Sequence, residues 1–137
     1  MTSAPPPNGS KPTILVVDDD LGVLGLLEKT LGMAGYRVLA ADGGWSAVRA
    51  YESSAEPIHL LLTDVIMPDL TGPVLAERLR ARQPELRVVF ISGFHDADLV
   101  QRFVTSKGFT LLPKPFSPAG LLRVVDEALN PGRGPAG

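Results

Sequence analysis

The chain alternates between two hydrophobic periods, and this alternation constrains its fold more than any other feature of the sequence. Five short apolar runs have the length and composition of strands, and segments with helical spacing separate them. The runs are ILVVD, YRVLAA, IHLLLTD, RVVFIS and FTLLP, at residues 14–18, 36–41, 58–64, 87–92 and 109–113. Strands that alternate with helices predict right-handed crossovers and a parallel sheet with helices on both faces. We therefore expect an α/β fold, a doubly wound sheet of five parallel strands flanked by five helices.

Each segment that follows a strand places its apolar residues on one helical face. Ser117 followed by Pro118 marks the start of the last helix, because serine caps helix starts and proline suits the first turn. The residues expected to pack on the sheet are Leu24, Leu27 and Leu31; Ala47, Val48 and Tyr51; Leu75, Ala76 and Leu79; Leu99, Val100, Phe103 and Val104; and Leu121, Val124, Val125, Ala128 and Leu129.

Length and composition limit the organisation of the chain. The 137 residues suffice for one ordinary domain, which we place at residues 12–130. Residues 1–11 and 131–137 are rich in proline and glycine with little to bury, so both are expected to be flexible tails.

Charge and residue usage exclude several classes of function. A formal net charge of −2 without a long basic run argues against direct binding of nucleic acid. The absence of cysteine removes disulfides and thiolate metal sites, and it suits a reducing cytoplasm. We find neither a signal peptide nor an apolar stretch long enough to span a bilayer, so we expect a cytoplasmic protein without membrane insertion.

Polar residues end the predicted strands where a ligand would bind. In open parallel sheets, ligands sit beyond the carboxyl ends of the strands. The residues that collect at this edge are Asp18, Asp19 and Asp20 after the first strand, Asp64 after the third, Ser92 after the fourth and Lys114 after the fifth. Clustered acids raise one another's pKa and need a counter-charge to stay ionised. We therefore expect Mg²⁺ (or Mn²⁺) here, with Lys114 and Ser92 available to a phosphoryl group that is transferred to a carboxylate.

Four stretches, in this order and spacing, resemble the response-regulator receiver domain, the CheY-like fold of two-component signalling: ILVVDDD, LLTDVIMPDLTG, VFISG and LPKPF. The resemblance covers nearly the whole predicted domain and implies the strand order 2-1-3-4-5. It implies that Asp64 is the phosphoacceptor, and that Asp19 binds the metal directly while Asp18 acts partly through water. FISGF and LLPKPFSP are further similar to receivers attached to hybrid histidine kinases.

The same resemblance implies roles for the remaining site residues. The backbone carbonyl of Ile66 would be the third protein ligand of the metal. Ser92 would be the switch hydroxyl, and Lys114 the phosphate-binding lysine with a cis bond to Pro115. Leu111 departs from the family, since many receivers place an aromatic switch residue there; ordinary core packing is the alternative explanation of this leucine.

A receiver of this kind is a signalling phosphoacceptor and not an enzyme, although it assists its own phosphorylation and slow dephosphorylation. Its implied partners are a histidine kinase or a histidine phosphotransfer protein. A downstream protein would bind the face formed by the fourth helix, fifth strand and fifth helix. The chain could be a free-standing regulator or part of a hybrid kinase.

Several single residues allow another interpretation. A haloacid-dehalogenase-like phosphatase would use Asp18 as nucleophile and Asp20 as general acid. Asp20 otherwise suits a helix start, and Trp45 suits packing. We attribute turn and helix-start roles to Asp69, Gly72 and Pro73, and no function to His59 and His95.

Overall fold

The structure is a computed structural model that describes residues 12–93 and 109–130. Both predicted tails lie outside the described residues. So do His95 and the predicted fourth helix, with Leu99, Val100, Phe103 and Val104.

Five parallel strands form one sheet in the order β2-β1-β3-β4-β5, which is the predicted order. The strands are β1 (Thr13–Val17), β2 (Arg37–Ala41), β3 (Leu60–Asp64), β4 (Arg87–Ser92) and β5 (Thr110–Pro113). The central strands β1 and β3 are buried along their whole length, whereas the edge strands β2 and β5 are partly exposed. Strands covered on both faces need apolar side chains on both, which explains the continuous apolar runs.

Four helices lie in the described part of the chain: α1 (Leu21–Met33), α2 (Gly44–Ser53), α3 (Gly72–Arg82) and α4 (Pro118–Leu129). Four of the five predicted helices are therefore observed. The label α4 denotes the helix predicted as the fifth, since the predicted fourth falls outside residues 12–93 and 109–130.

The helices cover the two faces of the sheet in pairs. One core cluster contains Leu15, Leu61 and Phe90 of the sheet together with residues of α2 and α3. The other contains Ile14, Leu62 and residues of α1 and α4. Leu24, Leu27 and Leu31 of α1 are buried, as their spacing predicts. The helices thus cover the faces of the sheet and leave its carboxyl edge to the loops.

Three helix starts carry a capping side chain from their own N-cap residue. Asp20 accepts hydrogen bonds from the N–H groups of Gly22 and Val23, so its predicted role at the helix start is confirmed. Ser117 caps α4, with proline in the first turn, also as predicted. Thr71 caps α3. Helix α2 differs, because its N-cap residue is Gly43, which has no side chain to offer.

Within residues 12–93 and 109–130, none of the helices has the length and hydrophobicity to cross a membrane.

Candidate functional site

The carboxyl edge of the sheet brings together three carboxylates. Asp18 and Asp19 follow β1, and Asp64 is the last residue of β3, the strand next to β1. One oxygen of each carboxylate lies within 4.8 Å of the others. Because β1 and β3 are adjacent and parallel, their carboxyl ends lie side by side, and the residues at these ends come close together. The predicted convergence of these acids is therefore present in the structure.

Asp18 is the most deeply buried member of the cluster, with no exposure to solvent. Its Oδ1 accepts a hydrogen bond of 2.9 Å from the backbone N–H of Asp20. Its Oδ2 lies 3.3 Å from Nζ of Lys114 but has no hydrogen-bond partner of good geometry. Burial raises the pKa of Asp18, while the Asp20 N–H and Lys114 oppose that rise. A buried carboxylate oxygen without a hydrogen bond is the kind of atom that a cation would satisfy.

Asp64 is also buried, but its side chain keeps 11% exposure, whereas Asp19 is the exposed member of the cluster. The Oδ1 of Asp64 accepts a hydrogen bond of 3.0 Å from the N–H of Val65 and lies 3.7 Å from Nζ of Lys114. Burial, followed by the charge of Asp18, raises the pKa of Asp64 to about 6. Lys114 and the Val65 N–H act in the opposite direction. One ammonium thus contacts two acids and offsets their repulsion only in part.

Lys114 reaches the acids because β5 ends beside β4. Its backbone N–H donates to the carbonyl of Ser92 at 2.8 Å, which ties the ends of the two strands together. The Lys114–Pro115 peptide bond is cis, as the resemblance implies.

Ser92 ends β4 and is buried. Its hydroxyl donates to the carbonyl oxygen of Gly93 at 3.1 Å. The hydroxyl therefore contacts the backbone of the next residue in this structure. Leu111 on β5 is partly buried and packs against the core cluster of the α2–α3 face, which agrees with the interpretation of this residue as ordinary core.

The loop between β3 and α3 is held close to Asp64. Val65 and Met67 are buried, whereas Ile66 between them is 54% exposed. A Cβ atom placed on Gly72 would lie 2.3 Å from the carbonyl oxygen of Asp64, and the Gly72 N–H donates to the carbonyl of Val65 at 2.8 Å. Only glycine allows this approach, because any side chain would collide with the backbone that carries the candidate phosphoacceptor.

One residue of this loop has a role that the sequence analysis missed. Asp69, interpreted as turn chemistry, accepts hydrogen bonds from the N–H groups of Gly44 and Trp45 at the start of α2, both at 3.0 Å. The signal in the sequence was the Gly43-Gly44 pair, a helix start without a capping side chain. The pair indicates that the N–H groups at this helix start need an acceptor from elsewhere, but it does not indicate which residue supplies that acceptor.

The other residues considered lie away from the site or in packing contacts. Trp45 is 41% exposed, and the guanidinium of Arg78 lies over its ring, 4.7 Å from the ring centroid, so this packing contact is at the surface and not in the core. His59 accepts a hydrogen bond from the N–H of Thr13 through Nδ1. This contact is at the amino ends of β1 and β3, opposite the acids, so His59 does not belong to the site.

The geometry also opposes the phosphatase alternative. Asp18 would have to be the nucleophile, yet it is fully buried and its Oδ1 is held by a backbone N–H. The Oδ1 of Asp20, the expected general acid, caps α1. Neither carboxylate is free to act on a substrate in these positions, and the phosphatase interpretation is not supported.

Comparisons with known proteins agree on one family. The family model described as response regulator receiver domain matches residues 14–126. The response regulator receiver protein CpdR of Brucella abortus is 35% identical over 116 residues, which cover 85% of this chain and 95% of CpdR. The sensor kinase CckA of the same organism is 32% identical over 122 residues, 89% of this chain and 13% of the kinase.

A solved structure supports the same conclusion. The crystal structure of the receiver domain from the hybrid histidine kinase CckA is 33% identical to this chain and superposes with a TM-score of 0.71. The match covers 85% of this chain and 98% of that domain. With its sheet order, its cluster of acids and these matches, the chain belongs to the response regulator receiver domain family of two-component signal transduction.

Proposed function

We propose that Asp64 accepts a phosphoryl group from a histidine kinase or a histidine phosphotransfer protein in a Mg²⁺-dependent reaction. The observation that carries this proposal is the convergence of Asp18, Asp19 and Asp64 within 4.8 Å, with Lys114 beside two of them. Of the two buried acids, Asp64 is the one with solvent access to its side chain. The protein acts as a phosphoacceptor in signalling and not as a turnover enzyme.

The donor set fits a hard divalent cation. Mg²⁺ prefers oxygen ligands and uses few protein carboxylates, keeping water in its other positions. Asp19 is exposed and supplies the direct ligand, whereas Asp18 is already in contact with Lys114 and acts partly through water. Asp64 and the backbone carbonyl of Ile66 complete the set; Mn²⁺ suits the same oxygens. Bound there, the ion would neutralise part of the acidic charge and attract a phosphoryl oxygen.

The transfer itself requires an ionised Asp64. A carboxylate oxygen of Asp64 attacks the phosphorus, a P–O bond forms, and the P–N bond to the donor imidazole breaks with its electron pair moving to nitrogen. Within residues 12–93 and 109–130, Oδ1 is the Asp64 carboxylate oxygen that accepts a hydrogen bond, from Val65. We therefore assign Oδ2 as the attacking atom.

Lys114 and Ser92 then act on the phosphorylated state. The ammonium of Lys114 already lies near both acids and would pair with the added negative charge. The Ser92 hydroxyl would leave the Gly93 carbonyl and donate to a phosphoryl oxygen, which is a stronger acceptor because it is charged.

The movement of Ser92 would be transmitted to the surface that binds a downstream protein. We assign this surface to the face that includes β5, α4 and the predicted fourth helix, which lies outside the described residues. Lys114 and Ser92 join the site to β5 through the hydrogen bond between their backbones. We place the folded domain at residues 12–130 and the protein in the cytoplasm, where a kinase partner and Mg²⁺ are present.

A phosphorylation assay tests the proposal. The protein is incubated with acetyl phosphate and Mg²⁺, and its intact mass counts the phosphoryl groups. Borohydride then reduces the aspartyl phosphate to homoserine with release of phosphate, and peptide mapping locates the reduced residue. We expect one phosphoryl group on the peptide that contains Asp64, none with chelator, and none on Asp64→Asn. Asp42→Asn serves as control, because Asp42 is an exposed acid at the same edge. Modification of Asp18 would refute the assignment.

A further inference from the structure

Helix α2 is capped by a residue that is distant in sequence. Its first N–H, from Gly44, donates to Oδ1 of Asp69, and the next, from Trp45, donates to Oδ2. Free N–H groups at a helix start attract negative charge. These two hydrogen bonds hold the pKa of Asp69 below its usual range. One carboxylate therefore bridges the β3–α3 loop and α2 with both of its oxygens.

Close packing accompanies this bridge. A Cβ atom on Gly44 would lie 2.3 Å from Cβ of Leu70, and one on Gly43 would lie 3.1 Å from Oδ2 of Asp69. The loop can approach the helix start this closely because Gly44 has no side chain, while a side chain at Gly43 would crowd the Asp69 carboxylate. The loop and the helix start are thus complementary in both shape and charge.

The same loop carries the proposed metal ligand. Ile66 lies three residues before Asp69, with Val65 and Met67 buried on either side of it. Gly72 holds the far end of the loop against the carbonyl of Asp64. The backbone around Ile66 is consequently fixed at Asp64 on one side and at α2, through Asp69, on the other.

We propose that Asp69 is a positioning residue for the metal site: its bridge to α2 fixes the loop that presents the Ile66 carbonyl. This inference rests on the proposed function. Without the bridge, the carbonyl would have to be ordered at the moment of binding, and that ordering would weaken the affinity for Mg²⁺. The backbone N–H of Trp45, the single tryptophan of the chain, donates one of the two hydrogen bonds, so the indole of this residue is a fluorescent probe close to the bridge.

The test is a Mg²⁺ titration of the full chain. Binding is monitored through the amide chemical shifts of residues 64–72 and, in a separate experiment, through Trp45 fluorescence. Asp69→Ala removes both acceptors, and we expect its affinity for Mg²⁺ to fall about tenfold. Asp69→Asn keeps one acceptor oxygen and should fall between Asp69→Ala and the wild type. Asp42→Asn is the matched control: it removes one negative charge near the same helix start, where Asp42 contacts Ser46 and not the loop.

The outcomes separate this inference from the proposed function. A merely structural cap would lower the midpoint of denaturant unfolding without changing the Mg²⁺ affinity of the folded protein. Equal affinities in the wild type and both Asp69 variants would overturn the inference and leave phosphorylation of Asp64 intact. An equal loss in Asp42→Asn would also overturn it, because charge and not the bridge would then be responsible. A wild-type chain that binds no Mg²⁺ would refute the proposed function itself. If Asp69→Ala does not fold, Asp69→Asn against Asp42→Asn decides the question.

Discussion

The Nζ atom of Lys114 lies 3.3 Å from Oδ2 of Asp18, a carboxylate with no solvent exposure, while the lysine side chain itself stays 26% exposed. The lysine therefore brings a partly hydrated charge to a fully buried one. Its second contact, at 3.7 Å, is Asp64. A single ammonium shared by two acids neutralises only part of the charge of three carboxylates, so the ionised cluster stays net negative, which is the condition in which a divalent cation is bound.

Replacing Lys114 tests this sharing directly. In Lys114→Met we expect the pKa of Asp64 to rise above its value of about 6, because the lysine opposes the effect of burial there. Phosphorylation by acetyl phosphate should slow by about 100-fold, as when one preorganised donor is lost from a charged transition state. The ¹³C carboxyl shift of Asp64 against pH measures the first effect. Lys29→Met, at an exposed position on α1, is the control and should change neither quantity.

The stability of the metal-free protein should depend on pH through Asp64. Its folded pKa of about 6 lies above the ordinary value of 3.8, so the folded state binds the proton more tightly than the unfolded state. Stability from this group is fully present below about pH 4 and is lost as the pH rises to about 6. The loss amounts to at most about 3 kcal/mol.

Denaturant unfolding at pH 4, 5, 6 and 7 without Mg²⁺ measures that dependence. Asp64→Asn should be more stable than the wild type at pH 7, and the difference should shrink towards pH 4. Asp18, whose pKa is also raised, keeps part of the slope in the variant. A wild-type protein that gains stability between pH 4 and 6 relative to Asp64→Asn would contradict the sign of the shift.

Two glycine-to-alanine substitutions should have opposite effects. In Gly72→Ala the added methyl would lie 2.3 Å from the carbonyl oxygen of Asp64, so the loop must move. We expect a loss of about 1–3 kcal/mol in stability, as for other overpacked sites, together with slower phosphorylation. Gly25→Ala, on α1 where nothing lies within 4 Å, should instead gain up to about 1 kcal/mol. Thermal or denaturant unfolding of the pair measures both, and a neutral Gly72→Ala would show that the loop is not constrained.

Ser92→Ala should uncouple the phosphorylation site from β5. The hydroxyl contacts the Gly93 carbonyl here and is proposed to turn to the phosphoryl group. With beryllofluoride and Mg²⁺ as a phosphoryl mimic, we expect amide shifts near Asp18 and Asp64 to persist in the variant. Shifts along β5 and beyond Gly93 should shrink. Ser53→Ala, an exposed serine on α2, controls for loss of a hydroxyl. A full wild-type response in Ser92→Ala would exclude the serine as the coupling element.

The sequence by itself determined the five strands, the four helices seen in residues 12–93 and 109–130, and the edge at which the acids collect. Hydrophobic period is a local property, so the runs ending at Asp18, Asp64 and Ser92 predict strands that present polar residues at one edge. The cap at Asp20 and the start of α4 at Ser117 are also local, since both depend on residues within one turn. The order of the strands came from the resemblance of four motifs to a known family, because alternation alone does not fix it.

The tertiary structure decided the quantities that depend on approach between distant segments. Burial by two layers of helices, together with the neighbouring Asp18, raises the pKa of Asp64, and no spacing in the sequence predicts that degree of burial. The bridge from Asp69 joins residues that are 25 and 24 positions apart, and it depends on how two loops meet at the sheet edge. Local patterns specify which side chains point to an edge. Only the packed fold specifies which of them come within hydrogen-bonding distance.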